Sequence, residues 1–479
     1  MGEALGQIHA TRNTPYAKVN TEDTHAQPGY AQKHHCQNPE NAERFGRKVE
    51  VMFKFSLTVL FLVLPMIPLF GKSPANNTNA SSTAAAAVNA IGVDLLDVIS
   101  PADANALLSP YSIESALAMT WTGADGQTRE EMSRVLHLHG EDTEIAGAFA
   151  ALQAQLDSMV QNSARDSERM AKYGRTNDAM VLDAANRLFG EKDYDFRPPF
   201  LNLLKTTFNA PFQPMDFVHD HTGARKTIND WVADKTRNRI QDLVPEGALA
   251  ASTRLVLVNA LYLKTPWADP FSESATQPLP FHVRGGDPAE VPTMAIQKNF
   301  GYVKTNGMTV VSVPYKGNEL QFLILLPDDT KGLAKLEAGL TAEKLADWAN
   351  LPNQSVKLFL PKFKMQPPTL ELGNALKKLG MSSAFDVPPG SANFDRMAVR
   401  KPNDYLAISD VLHKTFIAVD EKGTEAAAAT AVVMLGRSAV MRPVQPVEVR
   451  VDHPFLFAIQ HRASGACLFL GHVADPRSQ

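Results

Sequence analysis

Few residues in this chain have the type and spacing to do chemistry. Arg437 stands in Met434-Leu-Gly-Arg-Ser438, and its fixed charge and forked donors suit a carboxylate at the bottom of a pocket. An arginine taken alone is more often only solvated. His413 could serve as a base or a ligand, yet a histidine beside a β-forming run is more often a hydrogen-bonded core residue. His137 and His139 are close in sequence but lack any further ligand pattern such as H-E-x-x-H, so no metal site is expected. No G-x-S-x-G elbow, phosphate-binding loop or dinucleotide fingerprint occurs. The residues give no argument for an enzyme and imply no cofactor.

The stretch that carries Arg437 runs V-D-E-K-G-T-E-A-A-A-A-T-A-V-V-M-L-G-R-S-A-V-M-R-P from Val419 to Pro443. Lys414 to Val419 before it and Val447 to Val451 after it have β-strand composition and alternation. Ala426 to Ala429 on composition alone read equally as a helix or a surface linker. A third reading follows from small side chains and the absence of proline between Gly423 and Arg437: such a segment could slip between two strands without clashing on either face, with every N–H free for the ladder.

Glu421-Lys-Gly-Thr-Glu-Ala-Ala-Ala-Ala-Thr430 resembles the reactive-loop hinge of the serpins, the serine protease inhibitors. The resemblance implies an α+β fold with a large mixed central sheet, additional sheets, about nine helices and an exposed reactive loop. It assigns hinge roles to Glu421, Gly423, Thr424, Glu425, Ala426, Ala427, Ala428, Ala429 and Thr430. Arg437 lies sixteen residues after Glu421, where the family carries the residue that enters the protease pocket, so Arg437-Ser438 would be the reactive bond, with Met434, Leu435 and Gly436 in adjacent subsites. Ser109, Ser112, Asn259, His413 and Trp267 fall where the family controls opening of its sheet, with His413 paired to Asn259. The implied activity is suicide inhibition of a trypsin-like serine protease, by cleavage, covalent trapping and insertion of the loop. Two alternatives stay open: a non-inhibitory binding protein or plain substrate, and an inhibitor of arginine-directed cysteine proteases.

The rest of the 479 residues must position that loop. With 44% hydrophobic and 20% charged residues the composition is globular, and a formal net charge of −4 gives no reason to expect nucleic acid. Residues 1–51 are polar, without apolar period, and are expected to be disordered or outside the natural product. Phe55 to Phe70 reads as a secretory signal, too short and too proline-interrupted for ~30 Å of hydrocarbon. Residues 52–87 are therefore expected to be signal and polar tether, residues 88–479 a single serpin-like domain, and the product a secreted monomer with no obligatory membrane contact. Of the two cysteines, Cys36 and Cys467, only Cys467 falls in that domain, where it is expected to be a buried apolar residue. Ser109 is expected to cap a helix that begins at Pro110. Thr128 and Glu131 fit a capping box, Gln161 to Asp178 reads as an inserted loop, and Thr227 to Leu243 as an amphipathic helix across the sheet. Thr253 to Lys264 reads as a strand buried on both faces.

Overall fold

The computed structural model describes residues 76–99, 104–174, 178–283, 287–401, 404–425 and 445–478, and one strand organises it. Leu255–Pro266, the central strand, is buried at every position from Leu255 to Leu263. Its period-2 alternation serves two cores: Leu255, Leu257, Leu261 and Leu263 enter the main core, while Val256, Val258 and Ala260 enter a second one. On one side it pairs antiparallel with an edge strand, Val181–Glu191, from Val181↔Lys264 to Gly190↔Leu255. On the other it meets Val411–Thr415, the feeder strand, in parallel. Short strands at Gln213–Met215, Phe363–Met365, Leu370–Glu371, Ile417–Val419 and Gly423–Thr424 complete this sheet. A second sheet orders Ala106–Leu108, Cys467–Val473, Phe455–His461, Leu320–Pro327, Met308–Pro314, Ala289–Thr305, Asn353–Pro361 and Val447–Arg450, with Gln277–Phe281 on Ala289–Thr305.

Nine α-helices occur among the described residues. The first six are α1 (Asn76–Ile99), α2 (Pro110–Trp121), α3 (Gly126–Val135), α4 (Asp142–Ala171), α5 (Pro198–Thr206) and α6 (Phe217–Lys235). Helix α2 lies under the main-core face of the sheet, with its Ile113, Leu117 and Met119 in that core. Ser109 caps it, its Oγ accepting from Ser112 N at 3.2 Å. Helix α6 covers the opposite face through Ala224, Ile228 and Val232, and ends at Lys235, earlier than the expected Leu243.

Three expectations are corrected here. The polar tether does not run to residue 87, because α1 starts at Asn76 and buries Ala84, Ala85, Ala87 and Val88 in the main core. Alanine is the best helix former, and a run of it fits where a helix must approach its neighbours closely. Ala80–Ile99 is long and apolar enough to cross a membrane by length and composition, but half of it is buried within the protein. The expected inserted loop is largely the end of α4, which continues to Ala171; Gln, Ala, Arg, Glu and Met propagate a helix once it is nucleated, without needing an apolar face. Thr128 and Glu131 form no capping box, since α3 begins at Gly126 after Asp125. They reach outward instead: Thr128 Oγ1 accepts from Asn393 N at 3.0 Å, and a Glu131 carboxylate oxygen accepts from Ser383 N and Oγ, each at 2.8 Å.

Cys467 is buried, and burial pushes its thiol up to about 12, so it is inert at physiological pH. Glu114 on α2 is the exceptional buried group: fully enclosed, neither carboxyl oxygen has a hydrogen-bond partner among the described residues. Burial holds its pKa well above the ordinary 4.5, so the native state keeps it neutral. Its contribution to stability is present below pH 4.5 and is lost as pH rises, at about 1.4 kcal/mol per pH unit until the folded-state value is reached. Glu114→Gln is expected to unfold at higher temperature than the parent, with the gain larger at pH 8 than at pH 5; equal gains at the two pH values would contradict the assignment.

Candidate functional site

The chain enters the site at Ile417–Val419, turns through residues 420–422, and returns as the two-residue strand Gly423–Thr424. That hinge strand lies between Val419 and the end of the central strand, with Val419↔Thr424 on one side and Gly423↔Pro266, Thr424↔Thr265 on the other, both antiparallel. A Cβ on Gly423 would stand 2.2 Å from Thr265 O and 2.7 Å from Pro266 Cα, so only glycine allows this approach. Thr424 is buried and its hydroxyl meets Tyr315 Oη at 2.5 Å. Tyr315 stacks on Trp267, with centroids 4.5 Å apart and planes 7° apart. Trp267 Nε1 donates to Asp420 O at 2.8 Å, and its backbone N to Lys422 O at 2.9 Å.

Glu421 secures the turn. Its carboxylate accepts from Lys362 Nζ at 2.7 Å and from Thr276 Oγ1 at 2.8 Å. Burial alone would push this carboxyl up, but those two bonds outweigh it and hold it below its ordinary value. Glu425 then turns the chain out of the sheet. Its φ is +43°, a left-handed conformation costly for a residue with a Cβ. Its carboxylate pairs with Arg239, just beyond α6, and its side chain is only 12% exposed. Tyr262, beside it, is pushed up to about 12 by burial and by the Glu425 charge.

Further down the same sheet runs a polar row. Asn186 of the edge strand, Asn259 of the central strand and His413 of the feeder strand occupy one register across three strands. Alternation places all three on the face toward α2. Ser109 N donates to His413 Nε2 at 3.0 Å, so Nδ1 carries the ring proton and donates to Asn259 Oδ1 at 2.5 Å. Ser112 Oγ donates to Asn186 Oδ1 at 2.7 Å. Asn259 Nδ2 is buried and has no hydrogen-bond partner among the described residues. The capping serine and its neighbour thus tie the start of α2 to both outer strands of the row.

Of the hinge residues named from the sequence, Glu421, Gly423, Thr424 and Glu425 meet at the turn, with Trp267 against them, while Ser109, Ser112, Asn259 and His413 meet at the polar row. Ala426, Ala427, Ala428, Ala429, Thr430, Met434, Leu435, Gly436, Arg437 and Ser438 lie outside the described residues, as does the apolar run Phe55 to Phe70. Sequence reasoning missed Asn186, Tyr315 and Arg239. Asn186 was legible in principle as a polar residue interrupting an apolar strand; Tyr315 and Arg239 carry no local signal. His137 pairs with Asp94 at 2.8 Å, and no group of three metal-ligating side chains converges among the described residues.

The upper end of the sheet carries the two-residue strand Gly423–Thr424, and below it a polar row crosses three strands and is tied to α2. The chain belongs to the serpin family: the model of the family described as Serpin (serine protease inhibitor) matches residues 86–476. It is 38% identical to the human leukocyte elastase inhibitor over 382 residues, 78% of this chain and 93% of that protein. It is 37% identical over 377 residues to human Serpin B8, again covering 78% and 93%. Uncleaved ovalbumin superimposes with a TM-score of 0.68 at 27% identity, covering 82% of this chain and all of the ovalbumin chain. The α+β fold expected from the hinge motif is the fold observed. The secreted or extracytoplasmic localisation is corrected: the relatives are leukocyte elastase inhibitors and Serpin B8, of a typically intracellular branch. That expectation rested on one apolar run, which precedes the matched segment.

Burial lowers His413 to about 3, and only the neutral ring can accept from Ser109 N. The depressed value means that its contribution to stability is present above pH 6.5 and is lost as pH falls toward 3, at about 1.4 kcal/mol per unit. His413→Gln is expected to flatten that acid limb in unfolding measured from pH 7 to pH 4, and to cost about 1 kcal/mol or more at neutral pH through unpaired buried partners. An unchanged acid limb would remove the histidine from this role.

Proposed function

We propose that this serpin inhibits trypsin-like serine proteases as a suicide substrate cleaved at Arg437-Ser438. The observation that carries the reading is the seated hinge strand, followed in sequence by Ala426 to Ala429 and, thirteen positions after Thr424, by Arg437. The protease serine attacks the Arg437 carbonyl, the Arg437–Ser438 peptide bond breaks, and the new amino terminus leaves on Ser438 while Arg437 stays esterified to the protease. The freed segment from Gly423 to Arg437, extended at ~3.3 Å per residue, spans roughly 50 Å and carries the protease with it. Trapping requires insertion to outrun deacylation, and therefore a native state that is kinetically stable and not lowest in free energy.

Register arithmetic gives the inserted strand a definite fit. Continuing Gly423↔Pro266 and Thr424↔Thr265 down the central strand brings Thr430 opposite Asn259, and continuing Val419↔Thr424 brings it opposite His413. Thr430 would then stand inside the polar row, its hydroxyl in reach of the idle Asn259 Nδ2. Alternation turns Thr424, Ala426, Ala428 and Thr430 toward α2, where bulk has no room, and Glu425 toward α6. Inserting a third strand also requires the direct feeder–central pairing, Val411↔Leu257 to Thr415↔Leu261, to part.

A second reading draws on the relatives named leukocyte elastase inhibitors: an elastase-type protease, whose pocket is small, cutting beside Arg437 in the same loop. Incubation with trypsin and separately with pancreatic elastase, read by denaturing electrophoresis and intact mass, separates the possibilities. A complex at the summed mass with trypsin and cleavage after Arg437 is expected. A complex with elastase alone favours the second reading, and cleavage by both without a complex indicates a substrate. Thr424→Arg is expected to turn inhibitor into substrate, since a charge cannot take the buried place against Tyr315; unchanged inhibition would refute the insertion role. Thr430→Val is expected to leave Asn259 Nδ2 unpaired in the cleaved form and to lower that form's unfolding stability by ~1–3 kcal/mol relative to cleaved parent protein. No loss in the cleaved form would contradict the extended register.

A further inference from the structure

In the second sheet, Met308–Pro314 and Leu320–Pro327 pair antiparallel from Met308↔Pro327 to Pro314↔Gln321. Tyr315 and the hinge lie at one end of this pair. At the other end, roughly 20 Å away at ~3.3 Å per residue, an open pocket of about 460 Å³ forms between the strand ends and two short helices, α7 (Leu333–Ala338) and α8 (Ala342–Asp347). A pocket of this size falls in the range that encloses small organic ligands. Its walls are preformed. Asp328 N donates to Gly307 O at 2.9 Å, and the buried His453 donates from Nε2 to Pro327 O at 2.8 Å. A Cβ on Gly332, just ahead of α7, would stand 2.8 Å from Pro327 Cβ and 2.9 Å from Asp329 O, so the absence of a side chain lets this wall close up. Trp348 O accepts from Gln321 Nε2 at 2.9 Å, which ties the segment after α8 to the sheet.

The lining is divided by chemistry. Met308, Pro327, Leu336, Leu340 and Trp348 supply apolar surface, and Met308 and Leu336 are only half-buried. Lys331, Lys335 and Lys344 stand at the rim. The two carboxylates of the lining are answered: Asp328 accepts from Lys304 Nζ at 2.5 Å, and Asp329 accepts from Lys331 N at 2.9 Å. Lys344 Nζ donates to Gly339 O. Among the described residues, the ammonium groups of Lys331 and Lys335 enter no ion pair. An apolar hollow bordered by uncompensated cations is complementary to a molecule with an apolar body and one negative end.

We infer that this pocket binds an amphiphilic anion, a short acyl chain ending in one carboxylate, with the chain against Met308, Leu336 and Trp348 and the acid between Lys331 and Lys335. Apolar burial supplies most of the affinity. The lysines, solvated and screened, chiefly set the preference for a charged head group over a neutral one. Both contributions can be removed separately, because the floor and the rim are made by different residues.

The test titrates the full chain with octanoate and with octanol in a calorimeter. Saturable binding of octanoate is expected, tighter than that of octanol. Lys335→Glu, at an exposed position where the fold is not at stake, is expected to weaken octanoate about fivefold or more and to leave octanol unchanged. Met308→Trp fills the floor and is expected to abolish binding of both. ω-Bromooctanoate quenches a tryptophan that it touches, so it is expected to quench the parent and to lose that quenching in Trp348→Phe. No saturable binding to the parent, octanoate no tighter than octanol, or undiminished quenching in Trp348→Phe overturns the site. None of these readouts involves a protease, so the site stands or falls separately from Arg437.

Discussion

The structure depends on one contact between strands that is complete only by default: the direct parallel pairing of Val411–Thr415 with Leu257 to Leu261 of the central strand. Parallel pairing is the weaker kind per residue. Here it is crossed at its middle by the Asn259–His413 hydrogen bond, and it gives way at its upper end to Gly423–Thr424. Everything packed on the sheet works around that seam. The two cores on its faces draw on alternate residues of the same strand, so parting the seam disturbs both, which is a barrier and not a gradual slope.

Opposed constraints meet at the top of the seam. Glu421, Gly423 and Thr424 hold the chain in the sheet through Lys362, Thr276, the close approach to Thr265 and Pro266, and the Tyr315–Trp267 stack. Glu425, one residue later, holds it out through a left-handed φ and its pair with Arg239. The side chain lies on the α6 face, so its charge need not cross the interior for the chain to continue inward. Under the proposed insertion the chain would give up a strained backbone angle and one partly exposed ion pair, a modest cost against the pairing of a whole strand.

The parts of this arrangement that were legible in the sequence are those fixed by local chemistry. Ser109-Pro110 announces a cap and a first turn, and Leu255 to Leu263 announces a doubly buried strand. What was not legible depends on distant partners or on the absence of a strong signal. Nothing local to Tyr315 says that its hydroxyl meets Thr424, 109 residues away. Thr128 and Glu131 have capping-box spacing, yet their oxygens serve Asn393 and Ser383 instead, because tertiary donors compete with the helix's own. The helical end of α4 lacks an apolar period and so resembled a loop, although its residue types favour helix.

A seam between two strands would be simplest to build from small apolar residues, yet its midpoint is a row of two asparagines and a histidine over two serines. Polar groups in a low-dielectric interior are costly unless every partner is met. In the described structure nearly all are met, through α2, and the exception is Asn259 Nδ2. An apolar row would resist opening no more in the closed state than in the inserted one. A polar row with one idle donor would discriminate under the proposed insertion: stiff while closed, costly while parted, and fully paired only once a hydroxyl reached its centre. If the loop inserts as proposed, Thr430 is the residue that the register extended from Gly423 and Thr424 would bring there, and the spacing between hinge and polar row, not the composition of either alone, is then what insertion depends on.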